Sequence, residues 1–155
     1  MELTDLVCEK CIVPDLKGES KSDILREMMN SLAKNETGID AEAALSAIME
    51  REALGSTGVG EQVAIPHAKI ADIEDISVLI GVKKDGIDFD SADGKPVKVF
   101  FMLVSPEKQM NMHLKTLARI SKLVKMTDFK DRVTAESSTP ERIYAILKEE
   151  ESRLG

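Results

Sequence analysis

Val97-Lys-Val-Phe-Phe-Met-Leu-Val104 is apolar at every position but Lys98, and a run of this length and character reads as a strand buried on both faces. Such a strand lies inside a sheet with a layer on either side. Ile76-Ser-Val-Leu-Ile-Gly-Val82 is a second strand of the same kind, and Val63-Ala-Ile65 a short one that Pro66 closes. Between the two longer runs, Lys84-Asp-Gly86 and Ala92-Asp-Gly94 carry turn chemistry, because Asp-Gly pairs tolerate positive φ; short connections there favour some antiparallel pairing.

Helical patterns flank this block. Ser20, with the acid Asp23 three residues on, starts a helix whose apolar face is Ile24, Leu25, Met28, Met29 and Leu32. Asp40 caps a second, with the stripe Ala44, Leu45, Ile48 and Met49 running until Gly55 ends it. From Asn111 the period is again helical, through His113, Leu117, Ile120 and Val124, and Thr139-Pro140 opens a final helix through Leu147. No repeat, low-complexity tract or linker divides the chain. Residues 1–155 are therefore expected to form a single α/β domain with a mixed parallel and antiparallel sheet sandwiched by helices.

The chain has 155 residues and a formal net charge of −7, with 43% hydrophobic and 32% charged residues, the profile of an ordinary soluble domain. An acidic balance with 3% aromatic residues and no Trp argues against phosphate-backbone capture and base stacking, so nucleic acid is excluded as a partner. No apolar run approaches the roughly 20 residues that span a bilayer, and MELTDLVCEK at the start lacks the layout of a signal peptide. The expectation is a cytoplasmic protein with no membrane insertion.

There are two histidines. His67 follows Pro66 at a stiffened strand end beside a glycine-containing loop, a position suited to a nucleophilic imidazole; a surface histidine that merely ends a strand is the plainer reading. Gly58-Val-Gly60, with Ser56 and Thr57, can point N–H and O–H donors at an anion, or can be a C-capping glycine followed by a turn. It is not a nucleotide loop, since Val63 stands where a third glycine would be and a helix, not a strand, leads in. Arg51 offers a guanidinium fork for a phosphoryl group or a cation for a helix C-terminus. His113 can donate to a phosphoryl oxygen from a helix start or sit as a satisfied buried histidine. Cys8-Glu-Lys-Cys11 lacks a second pair for a zinc site and reads as two free thiols in a reducing compartment; a metal site of two His and two Cys is a weaker alternative. Lys148-Glu-Glu-Glu151 reads as a solvated helix end.

Glu52, Val59-Gly60 and Val63-Ala-Ile-Pro-His-Ala68, at their observed spacing, resemble the active-site signature of the type-2 enzyme IIA domains of the bacterial phosphotransferase system, the fructose, mannitol and nitrogen-regulatory group. Arg51-Glu52-Ala-Leu-Gly-Ser-Thr-Gly58, Gly86-Ile-Asp-Phe-Asp90, Asp93-Gly-Lys-Pro-Val97, Phe101-Met-Leu-Val-Ser-Pro106 and His113-Leu-Lys-Thr-Leu117 extend the likeness over nearly the whole chain. The resemblance implies a phosphotransferase that takes a phosphoryl group from phospho-HPr onto His67 and passes it to a IIB component. Alternatively, the phosphorylation state of His67 controls binding to other proteins, as in the nitrogen branch. It further implies that Arg51, His113 and Thr57 surround the phosphoryl group, and that neither a cofactor nor a metal takes part.

Overall fold

The computed structural model describes residues 2–135 and 138–154. Its elements run α1 (Leu3–Leu6), a 3-10 turn (Glu9–Cys11), α2 (Lys21–Asn35), α3 (Ala41–Leu54), β1 (Gly58–Gly60), β2 (Val63–Ala64), β3 (His67–Ile70), β4 (Ser77–Ile87), β5 (Val97–Pro106), α4 (Met110–Met126), α5 (Phe129–Ala135) and α6 (Pro140–Ser152). Three helix starts follow the expected chemistry: Ser20, Asp40 and Thr139 each accept a hydrogen bond from the backbone N–H three residues on. A cap of this kind is worth about 1 kcal/mol.

β5 is the middle of the sheet. It pairs antiparallel with β4 on one side and parallel with β2 and β3 on the other, and β1 adds an antiparallel edge to β2. Because side chains alternate along a strand, Val99, Phe101 and Leu103 enter a core built with α4, α5 and α6, while Phe100, Met102 and Val104 enter one built with α2 and α3. The apolar run thus does what its composition requires, and the mixed α/β sandwich is the architecture expected.

Several local expectations change. The short strand β2 ends at Ala64, just before Pro66, as expected, but pairing to β5 does not stop there: the Pro66 carbonyl accepts from the Leu103 N–H at 2.8 Å, and a parallel ladder resumes at His67 as β3. Lys84-Asp-Gly86 is not a turn but part of β4, where the register against β5 shifts between Val82 and Ile87 and Gly86 takes a φ of +74°. An Asp-Gly pair serves a bulge as well as it serves a hairpin. The Ala92-Asp-Gly94 turn forms as expected, closed by Gly94 N–H to the Ser91 carbonyl at 3.0 Å.

The segment before α2 seals the open side of β4. Cys8, Val13 and Leu16 donate their N–H groups to the carbonyls of Val78, Ile80 and Val82, covering a sheet edge that would otherwise be exposed. Within this segment Cys8 and Cys11 are joined by a disulfide with a Cα–Cα distance of 5.3 Å, which corrects the reading of two free thiols. The 3-10 turn between them folds positions three apart onto one side, within bridging distance. Among the described residues, the group of three possible metal-ligating side chains is Cys8, Cys11 and Glu36, so the histidines do not join the cysteines.

The acidic end of α6 is also corrected. Lys148 and Glu149 are exposed, but Glu150 and Glu151 are fully buried. Glu151 accepts from the Leu3 and Thr4 N–H groups at 2.7 and 3.1 Å and from Arg119 Nε at 3.0 Å; Glu150 pairs with Arg132 at 2.8 Å. No helix among the described residues is long and apolar enough to cross a membrane.

Candidate functional site

His67 opens β3, and the parallel ladder to Leu103 fixes its backbone. Its Nδ1 lies 2.7 Å from the Ile65 carbonyl oxygen. A carbonyl only accepts, so Nδ1 carries the proton and Nε2 keeps its lone pair. Burial lowers the pKa of the half-buried ring and the Arg51 charge adds to this, against the opposing pull of the Ile65 carbonyl and Glu52. The ring is therefore neutral at pH 7, with a nucleophilic nitrogen.

His113 sits in the first turn of α4 and is 4% exposed. Its ring meets that of His67 edge to face, with centroids 5.4 Å apart and planes at 65°. Burial pushes its pKa down to about 4, with His67 and Lys69 adding to the effect. Its Nδ1 is hydrogen-bonded to the Ser105 hydroxyl. Arg51, in the last turn of α3, donates to the Gly55 carbonyl at 2.8 Å and lines the same groove as both histidines. The groove is about 730 Å³ in volume. Its apolar rim includes Leu54, Leu114 and Met110, which are 85%, 56% and 42% exposed.

The structure thus gathers His67, His113 and Arg51 in one groove, which Thr57 does not line. Thr57 is buried; its N–H and hydroxyl both donate to the Glu52 carboxylate, and its carbonyl accepts from the Ile65 N–H at 3.0 Å. Two further donors of this loop are also committed: the Ser56 hydroxyl donates to the Phe89 carbonyl at 2.6 Å, and the Gly58 N–H to Ser56 Oγ at 3.0 Å. Ser56, Thr57 and Gly58 therefore brace the segment that leads into His67.

Residues 5–150 match the family model described as phosphoenolpyruvate-dependent sugar phosphotransferase system, EIIA 2. The chain belongs to this EIIA family. It is 40% identical over 147 residues to a nitrogen regulatory protein of Bradyrhizobium diazoefficiens, covering 95% of each chain. It is 33% identical over 149 residues to the fructose-specific EIIABC component of Bacillus subtilis, covering 96% of this chain and 23% of that one. The crystal structure of the nitrogen regulatory protein IIA-Ntr of Neisseria meningitidis superposes with a TM-score of 0.84 at 28% identity, over 94% of this chain and 98% of that chain.

Three residues that support this candidate site were given no role from sequence. Glu52 is buried at the C-terminal end of α3, where an acid opposes the helix dipole; that local conflict was the readable signal. Lys21, which compensates it at 2.9 Å and stands over the Phe89 ring at 4.6 Å, gave no signal, since its pairing spans two helices. Ser105 is a fully buried hydroxyl that follows the apolar run Val99–Val104 of β5, and that substitution of polar for apolar could have been noticed.

Proposed function

We propose that this chain is a phosphocarrier whose His67 Nε2 accepts a phosphoryl group from phospho-HPr. The observation that carries the reading is the neutral His67 ring, proton-bearing at Nδ1 toward Ile65, with His113 and Arg51 in the same groove. In the transfer the Nε2 lone pair forms the new N–P bond as the donor histidine's N–P bond breaks and its electron pair returns to that nitrogen. No proton need move, because the His67 Nδ1–H stays on the Ile65 carbonyl, which stabilises the positive charge left on the ring. Arg51 and His113 offset charge on the phosphoryl oxygens, so the chemistry is chiefly positioning and electrostatics. Thr57 acts at one remove, by bracing Ile65. The exposed Leu54, Leu114 and Met110 give the donor protein an apolar face to dock on.

For the destination of the phosphoryl group, similarity over the full length to nitrogen regulatory proteins favours a regulatory output: roughly −2 of added charge within the apolar rim changes which proteins bind there. Transfer to a IIB component in fructose-type uptake is the second reading, motivated by the similarity to an EIIABC component. Labelled phosphoenolpyruvate with enzyme I and HPr tests the shared step. Acid-labile label is expected on the wild type and not on folded His67→Ala, with His113→Ala merely slowed; a folded wild type that takes no label refutes the phosphocarrier reading. A chase with a fructose-type IIB, draining the label or leaving it, separates the two outputs.

A further inference from the structure

Along β5 the side chains of Val99, Phe101 and Leu103 form one apolar stripe facing the α4–α6 layer, and Ser105 is the next position of the same parity. A hydroxyl there replaces an apolar side chain at a site with no solvent access, and burying it without a partner is costly. Its hydrogen-bond partner is Nδ1 of His113.

We propose that Ser105 is a positioning residue that holds His113 in the tautomer bearing its proton on Nε2. The assignment follows from donor accounting. If His113 Nδ1 carried the proton and donated to Ser105 Oγ, the Ser105 proton would need a second acceptor; among the described residues, His113 Nδ1 is the contact Oγ makes. With Ser105 donating instead, its one proton is satisfied, Nδ1 accepts, and a neutral ring must carry its proton on Nε2. The two histidines then have opposite polarity. His67 is fixed by a backbone acceptor with its Nε2 lone pair free, while His113 is fixed by a side-chain donor with its Nε2–H free. A neutral imidazole set this way donates a hydrogen bond to a phosphoryl oxygen without bringing a second lone pair against it. The role in transfer rests on the phosphocarrier reading of His67; the tautomer assignment does not.

The test is a long-range ¹H–¹⁵N correlation spectrum of the imidazoles in the full-length chain, for wild type, Ser105→Ala and Ser105→Thr, beside the rate of phosphoryl acceptance from phospho-HPr. The wild type is expected to show His113 unprotonated at Nδ1 and protonated at Nε2. In Ser105→Ala the His113 signals should move to an average of both tautomers while those of His67 stay in place, and acceptance should slow roughly two- to tenfold, the range for losing one neutral hydrogen bond. Ser105→Thr, which keeps the hydroxyl, should restore both. A purely structural role for Ser105 would not shift the tautomer. The proposal is overturned if wild-type His113 is protonated at Nδ1, or if Ser105→Ala leaves the tautomer or the acceptance rate unchanged. A folded wild type that accepts no phosphoryl group, with a Ser105-dependent His113 spectrum, would instead sink the phosphocarrier reading and leave the tautomer assignment standing.

Discussion

Replacing His113 should flatten the acid limb of the stability curve. In the folded protein burial holds the His113 pKa at about 4, against 6.5 for the free side chain. At about 1.4 kcal/mol per tenfold change in proton affinity, this is worth about 3 kcal/mol. The sign follows from proton counting: between the two pKa values the unfolded chain holds the proton and the folded chain does not, so stability falls as pH falls through 6.5 toward 4. Most of the loss, about 2 kcal/mol, develops between about pH 7 and about pH 4.5. Urea unfolding of wild type and His113→Asn at these two pH values isolates the effect. Asn offers an acceptor to Ser105 and does not titrate, and the loss due to carboxylates and His67 is common to both proteins. The wild type should lose about 2 kcal/mol more than the variant over this interval. Parallel curves would show that His113 gains its proton as readily folded as unfolded, and the neutral, desolvated ring would have to be abandoned.

Two further outcomes follow from the corrected parts of the fold. Glu151→Ala strands the Leu3 and Thr4 N–H groups and the Arg119 guanidinium and should cost about 3 kcal/mol, the lower end for breaking a buried pair because Arg119 keeps Glu2 at 3.7 Å; a drop below about 1 kcal/mol in urea unfolding would return Glu151 to the solvated class. Opening the short Cys8–Cys11 loop with a thiol reductant, or by Cys8→Ser, should lower stability by about 2 kcal/mol on loop-closure entropy, and free-thiol titration of the untreated protein should find none; two titratable thiols would contradict the bridge.

What could be read from the chain and what could not divide along a physical line. Ser20, Asp40 and Thr139 act on N–H groups three residues away, and the Val97–Val104 run reports its own two-sided burial, so helix starts and the central strand were legible. The place of His67, at a strand start beside the loop, was legible through its Pro66 neighbour. Glu150 and Glu151 were not, because a carboxylate's burial is decided by Arg132 and Arg119, which lie on other helices. β3 was missed for a related reason: the proline rule concerns the lost donor, whereas the acceptor that carries the ladder past Pro66 counts only once Leu103 lies opposite. Thr57 looked like a loop donor until Glu52 was seen to claim it. The local rules hold; the long-range partners had to be seen.

His67 belongs to a strand whose partner, Leu103, lies far along the chain and is joined to it in parallel, with β4 and a bulge formed in between. A slip of one residue would turn the His67 ring to the opposite face of the sheet. The presentation of the His67 ring is thus a readout of long-range registration, which forms slowly because its loop must close before the contacts reward it. On the phosphocarrier reading, helical signal and collapse should precede phosphoryl uptake during refolding, which makes uptake a stringent assay of native structure.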